Sequence, residues 1–173
     1  MLQAFLINDM SQTFTCIQWL KKYQEEIAKI KEHSPFLMVL CISAGIELMG
    51  KLLSPDDLDD GNGCNGKFEG ALKQFDSLKK YKDKDLYHLV RCGLAHRVSV
   101  KENIILSKEL ENDLDASPIV LNTNSFFEDF SKAVDDAQVF TGWAHQAATS
   151  DYVSITSDLT GLTPTIINYI EHE

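Results

Sequence analysis

One apolar segment, residues 34–53, constrains the fold of this chain more than any other feature. Glu47 and Lys51 interrupt it, and the stretch before Glu47 without an acidic residue, lysine or arginine is 14 residues long. That stretch is too short to span a bilayer, which needs about 20 apolar residues. Ser34 can cap a helix that has Pro35 at its first position, where the missing N–H is harmless. The segment therefore predicts a buried core helix against which other helices pack.

Helical periodicity continues on both sides of this core helix. Apolar residues recur at helical spacing, with charged residues between them, and a loop rich in Asp, Gly and Asn separates the second and third helices. Ser125 and Glu128 match a capping box at the start of a later helix. The predicted helices cover residues 10–32, residues 34–53, a segment after Gly66 that reaches Leu78, a segment from about Lys84 to His96, residues 125–147, and a short last helix from Thr163-Pro164.

After His96 the pattern changes from helical to strand-like. Short β-prone runs alternate with polar residues at Val98 and Val100, at residues 104–106 and at residues 119–121. We expect a small hairpin or meander at about residues 97–122. The length suits one domain. We therefore expect a single all-α domain over residues 1–173: an antiparallel up-and-down bundle with its core in 10–147, a β insertion after the fourth helix, and a C-terminal extension over 148–173.

Charge and cysteine content exclude several classes of protein. The 173 residues include 16 lysines and arginines against 26 aspartates and glutamates, a net charge of −10, which argues against coating nucleic acid or an anionic membrane with the whole surface. The cysteines at positions 16, 41, 64 and 92 form no CxxC pair, so neither a disulfide framework nor a zinc site is indicated. The N-terminal residues lack the features of a secretory signal. We expect a cytoplasmic protein with reduced thiols, no metal, no cofactor and no membrane partner.

The fourth predicted helix carries the run LYHLVRCGLAH, and we refer to it as the motif helix. At about 100° per residue, one face of an ideal helix with this sequence is apolar and the opposite face is basic with small residues between the charges. The simpler interpretation of the basic face is solvated side chains and a histidine suited to a helix C-terminus. The small residues also allow a second copy of the helix, or a phosphate-bearing ligand, to approach closely. The apolar face holds Leu86, Leu89, Val90 and Leu94, and the basic face holds His88, Arg91, Cys92, Ala95 and His96.

The motif helix lies in a locally basic part of an acidic chain. Residues 67–108, the basic island, contain 10 lysines and arginines and 5 acidic residues. A charge run is usually a solvated face, but a positive island in an acidic protein is also typical of a localised anion site. The island therefore points to a phosphate-bearing ligand near the motif helix.

The motif helix resembles that of the HEPN superfamily. The run LYHLVRCGLAH follows an F-x-x-x-L-x-x-F helix and an apolar helix that carries Glu47 and Lys51, as in uncharacterised prokaryotic HEPN members with an R-C-G-L-x-H helix. Arg91 and His96, with four residues between them, match the family's signature of Arg, four to six residues, then His.

This resemblance implies a bundle that dimerises through the motif helix, so that two Arg/His pairs form one composite cleft. In active members of the family this cleft cleaves RNA without a metal. The resemblance implies that Arg91 and His96 are catalytic. Glu47 and Lys51 resemble an accessory acidic and basic pair of some members. His88 and Cys92, which share the basic face with Arg91 and His96, are further candidates for accessory or binding roles.

Two positions leave the function open. Cys92 stands where active members often have Asn, Asp or His, and Val98 stands where the toxin subgroup paired with nucleotidyltransferase antitoxins has Tyr, which disfavours that subgroup. One interpretation is a metal-independent endoribonuclease of a toxin or defence system. The alternative is a non-catalytic HEPN dimer that binds a nucleotide or a protein partner. A plain structural bundle is the third class that the sequence leaves open. The expected partners are a second copy of the chain and RNA or a nucleotide.

Overall fold

The computed structural model describes residues 11–53, 63–97, 99–143, 151–156 and 165–169. The described chain is mainly helical with small sheets, so the mostly helical fold class is confirmed. In chain order the elements are β1 Ser11–Thr15, α1 Cys16–Ile30, α2 Pro35–Leu53, α3 Cys64–Gln74, a 3-10 helix Asp76–Tyr81, a π-helix Tyr87–Cys92, α4 Gly93–Arg97, β2 Ile104–Ser107, β3 Ile119–Asn122, α5 Thr123–Val139, β4 Asp151–Thr156 and β5 Thr165–Tyr169.

The apolar segment forms the core helix that its sequence predicts. Ser34 Oγ accepts a hydrogen bond from the Leu37 backbone N–H at 3.4 Å, so the predicted N-terminal cap is present. α2 packs against α1, α3, α5 and the π-helix. Length and composition alone would also let this helix cross a membrane, but more than half of it is buried inside the fold. Six of its side chains have no exposed surface: Met38, Val39, Ile42, Ile46, Met49 and Leu52.

Two glycines of α2 allow close contact with neighbouring helices. A Cβ built on Gly50 would lie 1.7 Å from the carbonyl oxygen of Lys67 in α3. A Cβ on Gly45 would lie 2.7 Å from the Phe130 ring in α5. The α2–α3 crossing therefore depends on the absence of a side chain at position 50, because backbone cannot move aside as a flexible side chain can.

The predicted helix over 10–32 is wrong at its start. Residues 11–15 form β1, which pairs antiparallel with β4, and the helix begins at Cys16. A capping box fixes this boundary: Thr15 Oγ1 accepts from the Gln18 N–H, and Gln18 Oε1 accepts from the Thr15 N–H. The amphipathic stripe through residue 14 was misleading because the strand partner of β1 lies far away in the chain.

The β element after the motif helix is present, but its predicted hairpin or meander topology is wrong. β2 and β3 pair in parallel, with Ile104 opposite Ile119. Parallel strands need a returning connection, and residues 108–118 provide it. Asn122 holds that connection, because its side chain donates to the carbonyl oxygens of Leu110 at 2.7 Å and Lys108 at 3.2 Å.

The predicted boundaries of α5 and of the last element also need correction. Asn122, whose Oδ1 accepts from the Ser125 N–H at 2.9 Å, is the N-cap, so Ser125 and Glu128 do not form the predicted capping box. The helix ends at Val139 rather than 147, because Phe140 adopts an extended conformation and packs on aromatic neighbours. Residues 165–169 form β5 rather than a helix, and Thr163-Pro164 lie outside the described residues.

Candidate functional site

The motif helix begins as a π-helix and continues as α4. The segment that follows the motif helix folds back and packs against it. Leu89 O accepts a hydrogen bond from the Lys101 N–H at 3.1 Å, and a Cβ on Gly93 would lie 2.7 Å from the Ser99 carbonyl oxygen. The π-turn makes the angular positions of an ideal helix approximate, and such turns are frequent at functional sites. The predicted apolar face is nevertheless buried: Leu86, Leu89, Val90 and Leu94.

The predicted accessory pair on α2 and the predicted arginine of the motif helix meet in one ion-pair network. Arg91 Nε donates to Glu47 Oε2 at 3.0 Å, and Lys51 Nζ lies 3.1 Å from Glu47 Oε1. The Glu47 side chain is 6% exposed, whereas those of Arg91 and Lys51 are each 27% exposed. A buried carboxylate is tolerated when cations balance it, as these two do. Arg91 therefore lies against α2, not on the solvated face opposite the core where the ideal helix put it.

Glu47 orients the Arg91 guanidinium group by binding one of its N–H donors. An arginine has five N–H donors, and the bond to Glu47 engages the Nε–H. The guanidinium carbon also lies 5.7 Å from the centre of the Tyr87 ring, a cation–π contact. The terminal nitrogens of Arg91 are thus positioned by two neighbours while retaining donors suited to a phosphate or carboxylate.

The remaining predicted site residues lie along the exposed part of the motif helix. His88 is half-buried, and its ring meets the Tyr87 ring edge-on with centroids 5.3 Å apart. Cys92 is half-buried, and Ala95 and His96 are exposed. Within the described residues no hydrogen bond or ion pair joins His96 to Arg91 or to any other side chain. The fold therefore joins Glu47, Lys51 and Arg91 but leaves His96 at the surface of a single chain.

One buried polar cluster was not predicted from the sequence. Asp129 Oδ2 on α5 accepts from the Tyr81 hydroxyl at 2.7 Å and from Lys80 Nζ at 2.7 Å, and the Asp129 carbonyl accepts from Ser77 Oγ. Burial, and then the bond to Asp129, raise the pKa of Tyr81 above its ordinary range. A signal was available: Asp129 falls among the buried apolar positions of α5, where an acidic residue needs a partner.

Acidic residues from outside the basic island balance part of its positive charge in the folded protein. Lys67 is buried, and acidic residues from outside the island pair with several of its lysines. Other island lysines remain at the surface, and some of them lie together around the 3-10 helix that follows α3. The ion pairs that cross the island boundary include Arg91 with Glu47, Lys80 with Asp129, Lys84 with Asp115 and Lys108 with Glu32.

The described residues contain free thiols but no cluster of metal ligands. In the described ranges no group of three or more His, Cys, Asp or Glu side chains could hold a metal ion. Cys16, Cys41 and Cys92 are free thiols, and burial raises the pKa of Cys16 and Cys41.

Comparisons of this chain with protein-family models, curated proteins and solved structures found no match. The resemblance to HEPN proteins therefore rests on the residues quoted above, and what it implies for function is a proposal.

Proposed function

We propose that this protein is a metal-independent endoribonuclease of the HEPN type, acting as a homodimer in a toxin or defence system. The observation that carries the proposal is the network of Arg91, Glu47 and Lys51. It connects the arginine of the motif to the acidic and basic pair on the preceding apolar helix, which are the residues that the resemblance singles out. A chance Arg-to-His spacing would not require this contact between distant parts of the chain.

The proposed fold is the antiparallel up-and-down bundle of that family. α1, α2, α3 and α5 supply the helices, and α2 packs against each of the other three. The motif helix also packs on α2, with Cys92 half-buried and Ala95 and His96 exposed on its outward side. This arrangement supports the proposal because a second copy could approach that outward face without disturbing the core.

The proposed reaction uses the ribose 2′-hydroxyl as the nucleophile. A histidine accepts the 2′-hydroxyl proton as the 2′-oxygen attacks phosphorus, and the bond from phosphorus to the 5′-oxygen breaks. A second histidine donates a proton to the departing 5′-oxygen, and Arg91 stabilises the charge on the phosphorane. The products are a 2′,3′-cyclic phosphate and a 5′-hydroxyl.

Dimerisation follows from this chemistry. One chain places a single exposed histidine, His96, at the end of the motif helix, whereas the reaction moves two protons. A two-fold dimer through the Cys92, Ala95 and His96 surface would bring two Arg/His pairs into one cleft. The exposed alanine between the functional residues permits close approach of the two helices.

The experiment is cleavage of random-sequence RNA in EDTA. We expect the wild type to cut RNA and leave DNA intact. His96→Ala and Arg91→Ala should each lower the rate by about 10² to 10⁴, as loss of an acid–base or charge-stabilising group does. The matched control is His33→Ala, because His33 is also exposed but lies in the turn after α1.

A non-catalytic dimer that binds a nucleotide or a protein partner is the second candidate. It is favoured by one observation: Arg91 already pairs with a buried carboxylate, as a purely structural arginine would. A wild type that leaves varied RNAs intact but binds a mononucleotide through Arg91 would support this candidate and overturn the first.

A further inference from the structure

An open concavity of about 540 Å³ lies beside the 3-10 helix that follows α3. The last turn of α3 supplies one wall, and the 3-10 helix with the turn after it supplies the other. We refer to it as the lysine pocket. The described residues of its lining contribute five ammonium groups and one carboxylate: Lys73, Lys79, Lys80, Lys82, Lys84 and Asp83.

The 3-10 helix that forms part of the lysine pocket is hydrogen-bonded to α5. Tyr81 has no exposed surface, and its hydroxyl donates to Asp129 at 2.7 Å. Ser77 Oγ donates to the Asp129 carbonyl oxygen at 2.8 Å. These bonds fix both ends of the 3-10 helix that carries Lys79 and Lys80, so the lysines project from a preorganised surface.

The turn after the 3-10 helix adds two more lysines to the same side. Asp83 and Asp85 have φ angles of 59° and 53°, a left-handed conformation that Asp tolerates better than most residues. The Asp83 N–H donates to Glu69 on α3 at 3.2 Å, which ties the turn to the opposite wall. Asp85 O then accepts from the His88 N–H, so the turn leads directly into the motif helix.

Most of the lysines have carboxylate neighbours, but these neighbours are weak competitors. Exposed ion pairs contribute about 0 to 1 kcal/mol, so a polyanion can displace them. Lys80 faces the buried Asp129 and is the least free of the five. Lys73 has no ion-pair partner in the described part of the chain. The other pairs involve carboxylates that are 86%, 66% and 90% exposed: Lys79 with Asp76, Lys82 with Asp83, and Lys84 with Asp115.

We infer that the lysine pocket binds the phosphodiester backbone of a single-stranded RNA. The polymer is named from the proposed function, on which the inference rests; the pocket itself recognises phosphates. The turn that carries Lys82 and Lys84 leads directly into the motif helix, which carries Arg91, so a strand held in the pocket would continue toward the motif helix. Among the described residues the lining has ammonium groups and no aromatic ring, so the pocket contacts the backbone and not the bases.

A pocket that contacts only the phosphodiester backbone should bind single-stranded DNA as well as RNA. A fluorescently labelled single-stranded DNA oligonucleotide carries the same phosphates but lacks the 2′-hydroxyl, so its binding is measured without cleavage. Fluorescence anisotropy over a salt series gives the affinity and its salt slope for the full chain. Each lost phosphate contact should lower the slope by about 0.7.

The variant is Lys73→Gln/Lys82→Gln, because neither lysine pairs with a buried group. The matched control is Lys22→Gln/Lys29→Gln, which removes two exposed lysines from α1 and changes the net charge equally. We expect the pocket variant to weaken binding at low salt about fivefold to tenfold and to lower the salt slope by about 1.4. The control should retain the wild-type slope, and thermal melting confirms that both variants are folded.

Failure of the inference and failure of the proposed function give different results. A wild type that cleaves RNA, with both variants binding DNA alike, would overturn the lysine pocket and leave the nuclease standing. A wild type that does not cleave RNA, with binding lost in the pocket variant alone, would support the pocket and overturn the nuclease.

Discussion

Arg91 of the motif helix and Glu47 of α2 form a hydrogen-bonded ion pair of 3.0 Å, although they lie far apart in the chain. Glu47 also forms an ion pair with Lys51, which lies one helical turn further along α2. A buried carboxylate that pairs with two basic side chains holds the arginine in place more firmly than a solvent-exposed carboxylate would. The pair thus links the position of the proposed catalytic arginine to the packing of the core helix.

The first prediction concerns this pair. In Glu47→Gln the side chain keeps its shape but loses the charge that orients Arg91, so RNA cleavage should fall about tenfold to a hundredfold, mainly in kcat. Steady-state kinetics measure this effect. Glu25→Gln on α1 is the control, because its carboxylate pairs with Lys22 at the surface. A Glu47→Gln enzyme with the wild-type kcat would show that Glu47 does not position Arg91.

The second prediction tests the crossing of α2 and α3. Gly50→Ala would place a methyl group against the Lys67 carbonyl oxygen, and the helices would have to move apart, at a cost of about 3 kcal/mol or more in the free energy of unfolding. Gly70→Ala is the control, since nothing lies within 4 Å of its Cβ position in α3. That variant should gain about 0.5 to 1 kcal/mol. Urea denaturation measures the free energy of unfolding of both variants. A Gly50→Ala variant as stable as Gly70→Ala would contradict the close crossing.

The third prediction is a loss of stability at alkaline pH. The pKa of Tyr81 is raised in the folded state by burial and by Asp129, and burial likewise raises that of Tyr23. An unfolded tyrosine loses its proton near pH 10, whereas the folded one keeps it. The contribution of these hydroxyls is therefore complete below about pH 10 and is lost as the pH rises above it. Denaturation midpoints measured across this range should fall.

Tyr81→Phe separates the hydroxyl from the ring. The variant keeps the buried ring but removes the donor to Asp129, so it should lose about 1 to 3 kcal/mol at neutral pH. It should also show a smaller stability loss above pH 10 than the wild type. A variant as stable as the wild type, with an unchanged alkaline profile, would show that the bond between Tyr81 and Asp129 contributes nothing.

The fourth prediction concerns the dimer. Light scattering at micromolar concentration should give twice the mass of one chain. Ala95→Glu introduces a charge into the proposed interface and should yield monomers, whereas Ala28→Glu on the exposed side of α1 should not. A monomeric wild type, or dimers of Ala95→Glu, would exclude an interface through this part of the motif helix.

The sequence predicts the elements that are determined locally. α2 starts and ends within a residue of its predicted bounds, because Ser34, Pro35 and the apolar run all act over short distances. The buried face of the motif helix is also correct despite its π-turn, since the apolar residues recur closely enough to share one face. The ion pair of Glu47 with Lys51 follows directly from their spacing on one helix.

The elements that depend on distant partners were missed. β1 is a strand because β4 pairs with it, and nothing in the first turns of the predicted helix signals that partner. The parallel direction of β2 and β3 depends on the path of the connection between them. The contact of Arg91 with Glu47 depends on how two helices pack, which periodicity does not define. The resemblance named both residues, but their contact is visible only in the structure.

The central claim is that Arg91 and His96 promote attack by a ribose 2′-hydroxyl. It is tested most directly with DNA oligonucleotides that contain one ribonucleotide, with each of the four bases in turn, incubated with the protein in EDTA and analysed by mass spectrometry. The account predicts cleavage only on the 3′ side of the ribonucleotide, leaving a 2′,3′-cyclic phosphate and a 5′-hydroxyl, and no cleavage by His96→Ala. Cleavage at a deoxyribonucleotide, a 3′-hydroxyl on the upstream fragment at the cleaved bond, or full activity of His96→Ala would contradict it.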